Sequence, residues 1–204
     1  MRTAANIIQP MNIIKMKYYK MGKYVILNSL PKHQMFSIWD KIKVKEFSNW
    51  FFENKEIRMK QLIDEVHRDS EYQMWESDYS PDSLKQLGNW FITRVQAVSE
   101  RKNVSYNVIK SEIDDVGVTQ DALLTNYTIS LSFDISIYYG EVILRTLKDR
   151  HWVQNIKTSI NNIEYGCMVI SKINKYNKPY VNPWRNIGVY ALKIRNEIIE
   201  DNWL

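Results

Sequence analysis

The stretch Leu123 to Trp152, LLTNYTISLSFDISIYYGEVILRTLKDRHW, constrains the fold of this 204-residue chain more than any other. Two periods run through it. From Tyr127 to Tyr139 the apolar residues alternate (Tyr127, Ile129, Leu131, Phe133, Ile135, Ile137, Tyr139), which is the period of a strand. Leu124, Tyr127, Leu131, Ile135, Tyr138 and Val142 are instead spaced by threes and fours, which places all six on one helical face. The run is long for a strand and meets no turn cluster before Asp149. It therefore reads as a buried helix. Gly140 in its middle costs roughly 1 kcal/mol against Ala, and a close approach by another backbone or ring would explain why that cost is tolerated. Glu141 and Arg145 are spaced as an i,i+4 pair, and Glu141 is expected to be partly buried, tying a C-terminal sheet to the helix.

The remaining chain suits one domain. Seven Trp and thirteen Tyr supply a large core and exclude a disordered chain. No run of eighteen apolar residues predicts a membrane span, and no apolar segment followed by small residues predicts a secretory signal. The single Cys167 lies in an apolar run, where a buried structural thiol is the default, and one unpaired Cys fits a reducing cytoplasm. The net charge is +5, with the basic excess at Arg2, Lys15, Lys17, Lys20, Lys23 and Lys32 before the first acid, Asp40. Elsewhere acids interleave with the lysines, so a solvated surface with a basic N-terminal arm is favoured over a nucleic-acid footprint.

In chain order, residues 1–20 read as an extension, either an upstream leader before Met21 or a short helix across Ile13 to Tyr19. Residues 21–204 form the domain. Lys23 to Leu27 is a short strand. Phe36 to Val66 is helical, with a stripe through Phe47, Trp50, Phe51, Met59, Leu62 and Val66 that slips near Asn54. Arg58 is left to pair with Glu53, Glu56 or an acid from elsewhere. His67 to Tyr79 is a loop. Ser80-Pro81-Asp82 then starts a helix: Ser80 is an N-cap, Pro81 loses nothing at the first helical position, and Asp82 favours the positive helix end. Val104 to Ile113 reads as a further short helix. Trp152 to Ile156, Tyr165 to Ile170 and Ile187 to Ile194 are separated by Asn, Gly and Pro and read as strands of a small antiparallel sheet, with Asn182-Pro183-Trp184 an exposed turn. Trp75, Trp184 and Trp203 are the aromatic residues expected at the surface. The fold class is α+β, an N-terminal helical part packed on a small C-terminal antiparallel sheet. Trp50, Phe51, Leu84, Leu87, Phe91, Leu131, Ile135 and Tyr138 are expected to be buried together.

No phosphate-binding glycine loop, nucleophile elbow, HExxH or CxxC occurs, and His33, His67 and His151 are not spaced as a metal site. No cofactor is expected. Asp134 and Glu141 fall on one helical face about 10 Å apart along the axis, a separation that would suit an inverting hydrolase. An ion pair or buried hydrogen bond is the favoured role for both.

Four segments carry a resemblance: KYVILNSLP at 23–31, FSNWFFENKEIRMKQL at 47–62, DYSPDSLKQLGNWF at 78–91 and DISIYYGEVILRTLKDRHW at 134–152, followed by the Asn182-Pro183 element. Together they resemble a family of uncharacterised cytosolic proteins found mainly in Bacillus-type Firmicutes. The matching positions include Trp50, Arg58, Asp78, Pro81, Trp90, Asp134, Tyr138, Gly140, Glu141 and Trp152. The resemblance implies a bacterial cytoplasmic protein, like the small α+β immunity partners of secreted toxins. It implies no enzymatic activity, and a protein partner such as a cognate toxin. The candidate binding residues are Asp134, Tyr138, Glu141, Trp152, Asn182 and Trp184. Two other readings stay open: a phage or mobile-element accessory protein binding nucleic acid through the basic N-terminus, and a hydrolase using Asp134 and Glu141.

Overall fold

The structure, a computed structural model, describes residues 18–21, 24–27, 30, 35–95, 124–172 and 180–195. A hairpin of β1 (Tyr18–Met21) and β2 (Tyr24–Leu27) is followed by a single-turn helix α1 (Met35–Ile38) and the long α2 (Lys41–Val66). After a 3-10 turn at Ser70–Tyr72 come α3 (Pro81–Ile92), α4 (Asn126–Thr146), β3 (Arg150–Gln154), β4 (Met168–Lys172) and α5 (Pro183–Arg195). The fold is α+β. β1 lies across the expected boundary at residue 20, and Tyr18 and Tyr19 are extended rather than helical. Val104 to Ile113 and Trp203 fall outside the described residues.

The organising stretch is helical, and α4 is the axis of the molecule. It packs against β2, α2, α3, β3, β4 and α5. Every residue from Tyr127 to Tyr138 is buried, which explains the double period in the sequence. A helix enclosed on all sides has no solvated face to mark its phase. The alternate polar residues are small hydroxyls that bond locally: Ser130 Oγ donates to the Asn126 carbonyl at 2.8 Å, and Ser132 Oγ to that of Thr128 at 2.8 Å. Ser130 Oγ also accepts from the Leu27 amide at 2.8 Å, docking β2 on the helix. Gly140 lies against the Trp152 ring; a Cβ there would stand 2.0 Å from Trp152 Cζ2. The close approach expected from the glycine is therefore made by an aromatic ring.

The expected helix over Phe36 to Val66 is interrupted at Trp39–Asp40, because Asp40 caps α2, its Oδ1 accepting from the Lys43 amide at 2.8 Å. The stripe does not slip at Asn54. Asn54 and Arg58 occupy core positions of the same face, and both are buried. Asn54 Nδ2 donates to the Trp50 carbonyl at 2.9 Å. α3 begins as the sequence predicts: Ser80 Oγ accepts from the Ser83 amide at 3.0 Å, and Pro81 opens the helix. The eight residues expected in one core, Trp50 through Tyr138, are all buried in one cluster.

β3 and β4 pair antiparallel, with Trp152 opposite Ile170 and Val153 opposite Val169, and a bridge joins Ile170 to Val181. The third expected strand is not formed. Ile187 to Ile194 belongs to α5, which starts with the same grammar as α3: Asn182 Oδ1 accepts from the Arg185 amide at 3.1 Å and Pro183 takes the first helical position. Ile187, Gly188 and Ala191 lie buried on one face, and the small side chains admit α4 closely. Burial against α4 outweighs the strand preference of the β-branched and aromatic residues. Asn182, Pro183 and Trp184 are consequently buried rather than exposed, and Trp184 sets its ring edge-on to Phe133 at 5.4 Å. Trp75 is buried as well, because its Nε1 donates to the Ser83 carbonyl at 3.0 Å at the foot of α3.

Cys167 is fully buried at the start of β4, and burial, reinforced by Glu164, pushes its thiol up to about 12. The thiolate is the reactive form. At about pH 8, iodoacetamide is expected to label the folded protein negligibly and the urea-unfolded protein completely. Stoichiometric labelling of the folded chain would show that the thiol is accessible.

Candidate functional site

The six residues singled out from the sequence do not converge on one cleft. Asp134 is completely buried in a polar cluster beneath α4. Arg58 grips it through both ends of the guanidinium, Nε to Oδ1 at 2.8 Å and Nη2 to Oδ2 at 2.6 Å. Tyr24 Oη also donates to Asp134 Oδ2, and Arg58 Nη1 reaches the Val25 carbonyl at 2.7 Å and Gln61 Oε1 at 2.8 Å. Burial pushes the Asp134 carboxyl up, while the guanidinium and the tyrosine hydroxyl pull it down. A carboxylate with its lone pairs so occupied has no open face for substrate or water. The acid from elsewhere that Arg58 required is thus Asp134, and the cluster ties α2, β2 and α4 together.

Tyr138 is buried one turn along. Its hydroxyl shares a hydrogen bond with Ser83 Oγ at 2.7 Å and accepts from the Tyr79 amide at 3.0 Å. Tyr79 has φ +62°, an uncommon backbone state for a residue with a Cβ. It is held there by stacking on Tyr138 at 4.9 Å, and the Arg145 guanidinium lies 3.7 Å from its ring centre. Arg145 therefore packs on the α3 approach instead of pairing with Glu141.

Glu141 Oε1 accepts from Lys55 Nζ at 2.9 Å and from Trp152 Nε1 at 3.0 Å, so it joins α4 to α2 and β3 as expected. Burial opposes the Lys55 charge, but Glu141 and Glu56 together outweigh it and raise the ammonium pKa. Both side chains are about one-fifth exposed, so water screens the pair. Glu141→Gln keeps one acceptor and loses the ion pair; urea unfolding should show a loss of about 1 kcal/mol. An unchanged midpoint would mean that the pair contributes nothing to stability. Asn182 caps α5, and its Nδ2 lies 3.4 Å from Glu164 Oε1, where Arg185 also points. All six residues thus hold elements together.

The concave surface lies elsewhere. A groove of about 750 Å³ opens between the N-terminal half of α2 and the outer face of β3 and β4. Val44, Val169 and Tyr165 are buried beneath it, and Val153 with Ile156 supplies the apolar atoms that it exposes. Lys41 and Lys45, one turn apart on α2, stand on one wall with Ser48 and Asn49; Ile156 and Lys157 stand on the other. The groove is braced. Gln154 Nε2 donates across its base to the Val44 carbonyl at 2.6 Å and to the Gly166 carbonyl at 3.1 Å. At the far end Asn155 Nδ2 donates to Tyr180 Oη at 3.1 Å, and Tyr180 donates to Glu164. Burial, aided by Glu164, pushes the Tyr180 hydroxyl up to about 12, so it remains a neutral donor. No acid lines the groove, and neither Lys41 nor Lys45 meets a carboxylate among the described residues. Ile42, which shares a helical face with Lys45, is 70% exposed at this end of α2, and Ile38 is 79% exposed just before it.

Comparison with protein-family models, curated proteins and solved structures found no match to the chain. Among the described residues no group of three or more His, Cys, Asp or Glu side chains could hold a metal ion, and no helix is long and apolar enough to cross a membrane.

None of the groove residues was among the sequence candidates. The signal on α2 was present: Lys41, Lys43 and Lys45 extend the basic excess of the N-terminal region into the start of a helix. The opposite wall comes from more than a hundred residues later, and only folding brings it near. Arg2, Lys15, Lys17, Lys23 and Lys32 of the basic arm lie outside the described residues.

Proposed function

We propose that the chain is a non-enzymatic protein-binding protein of the toxin-immunity type, acting in the bacterial cytoplasm on a cognate protein. The groove between α2 and β3–β4 carries this reading. It presents apolar atoms, the exposed Lys41 and Lys45, and amide and hydroxyl groups on a braced frame, next to exposed Ile38 and Ile42. Exposed isoleucines beside a polar rim are the usual composition of a protein-docking patch. The resemblance of the Trp50–Arg58, Ser80–Pro81 and Gly140–Glu141 segments to Bacillus-type cytosolic proteins supports the immunity assignment. The competing hydrolase reading loses its basis, because Arg58 and Tyr24 occupy the Asp134 carboxylate.

The test is co-expression with the product of each neighbouring gene. The expected result is one stable complex with a toxic product, together with rescue of growth by the wild-type chain. Ile42→Asp, which changes an exposed residue, should abolish both rescue and complex while leaving the melting temperature unchanged. If no neighbouring product binds and none is neutralised, the proposal fails.

A further inference from the structure

The groove also specifies the chemistry of what enters it. We propose that its occupant is an acidic, amphipathic segment of the partner protein, with two carboxylates meeting Lys41 and Lys45 and an apolar side chain between them seated on Val153 and Ile156. This inference rests on the protein-binding reading above and adds the partner's chemistry to it.

Charge complementarity carries the argument. Lys41 and Lys45 line one groove in which no described residue is an acid. Lys41 also stands at the first turn of α2, where the helix dipole favours an incoming anion; Asp40, the cap, uses its carboxylate on the Lys43 amide. Lys41 and Lys45 are exposed and free of described acids, so an incoming carboxylate displaces no described ion pair. The two lysines are four residues apart, about 6 Å along the helix axis. Carboxylates at i and i+2 of a strand, or at i and i+4 of a helix, have about that spacing.

The floor sets the second requirement. Val153 and the exposed Ile156 present apolar atoms to the groove above the buried Val44 and Val169, so a purely ionic ligand would leave that surface unfilled. The side chains of Ser48 and Asn49 hydrogen-bond to no described residue and remain available to a peptide backbone. Gln154 and Asn155 already hold the frame, so the groove is formed before the segment arrives. Preformed walls reduce the ordering cost of docking.

A phage-displayed random dodecapeptide library, selected on the immobilised full-length chain, is the probe. The enriched peptides should carry Asp or Glu two to four residues apart, flanking Leu, Ile or Phe. Fluorescence polarisation of the strongest synthetic peptide should show binding that weakens with salt. It should also weaken by about 100-fold in Lys41→Glu/Lys45→Glu, as expected when attraction is reversed at two positions. Lys60→Glu/Lys85→Glu, exposed lysines outside the groove, should change affinity less than about threefold. An unchanged melting temperature for both double variants shows that folding is intact.

Enrichment of neutral or basic peptides, no enrichment at all, or equal affinity for the two double variants would overturn the proposal. So would tighter binding of an oligothymidylate than of the peptide, which would make the groove a nucleic-acid site. A self-associating chain that Lys41→Glu/Lys45→Glu makes monomeric would put a second copy there instead. A neighbouring gene product that still binds and is neutralised after any of these outcomes leaves the immunity function standing and removes only the acidic segment.

Discussion

Asp134→Asn is expected to destabilise the protein by about 3–5 kcal/mol in urea unfolding, the largest effect of any conservative single substitution in the chain. The side chain barely changes in shape, but the Arg58 guanidinium is left buried without its counter-charge. Arg58 cannot shed its proton, so the charge stays in the core. Arg58→Met leaves the opposite charge behind, with a different consequence. Burial already pushes the Asp134 carboxyl up, and without the guanidinium only the Tyr24 hydroxyl opposes it. A folded-state pKa above the unfolded value means stability that is present below the unfolded carboxyl pKa and lost as pH rises through the folded one. Arg58→Met is therefore expected to be more stable in mild acid than at neutral pH, relative to wild type. The double variant Arg58→Met/Asp134→Leu should recover much of the loss, since an apolar pair of similar volume needs no compensating charge. A loss below about 1 kcal/mol for Asp134→Asn would show that water reaches the cluster.

The second large effect is at the contact between α4 and β3. Trp152→Ala should cost about 3–5 kcal/mol, because the ring fills the space over Gly140, meets Phe51 edge-on at 5.0 Å and donates to Glu141. Gly140→Ala should cost about 1–3 kcal/mol even though alanine is the better helix former. The added Cβ would stand 2.0 Å from the ring, and the ring cannot retreat while β3 pairing, Phe51 and Glu141 hold it. In the Trp152→Ala background the clash is gone. There Gly140→Ala should stabilise, by up to about 1 kcal/mol of helix propensity. This reversal of sign in a double-mutant cycle separates a steric reason for the glycine from a backbone reason. A destabilising Gly140→Ala in both backgrounds would point to the backbone.

The same glycine shows how far the sequence could be read. A glycine inside a long helical pattern has a cost that by itself implies a close neighbour. That the neighbour is Trp152 could not be read, because nothing local selects among seven tryptophans. Arg58 is a parallel case. Its position after an aromatic cluster called for an acid, and Glu53, Glu56 and distant acids were equal on spacing. Burial in the stripe of α2 decided for Asp134, 76 residues away.

Local chemistry was legible at α3, where Pro81 and the Ser80 cap coincide, but not at α2, where no proline marks the Asp40 cap. Ser80, Pro81 and Asp82 set the start of α3 with no help from the rest of the chain. Asn182 and Pro183 use the same chemistry at α5, but Ile187, Val189, Tyr190 and Ile194 carry strand preference, and only packing on α4 overrode it. The period of α4 was ambiguous for a related reason. Enclosed by other elements, it buries its apolar and hydroxyl residues alike, so no solvated face marked the helix.

The groove stands at the far limit. Lys41 and Lys45 were visible as part of a basic run, but a basic run becomes a site only when an apolar floor and a second wall are set beside it. Val153, Gln154 and Ile156 supply these, and Gln154 bridges 110 residues to reach Val44. The sequence by itself determined the start of α3, the apolar face of α2 and the excess of positive charge, because these are set by composition or by neighbours a few residues away. The choice of ion-pair partner, the helical state of α5 and the existence of the groove were decided by tertiary structure. Each depends on which distant segments meet, and the burial that makes those meetings favourable belongs to the whole core.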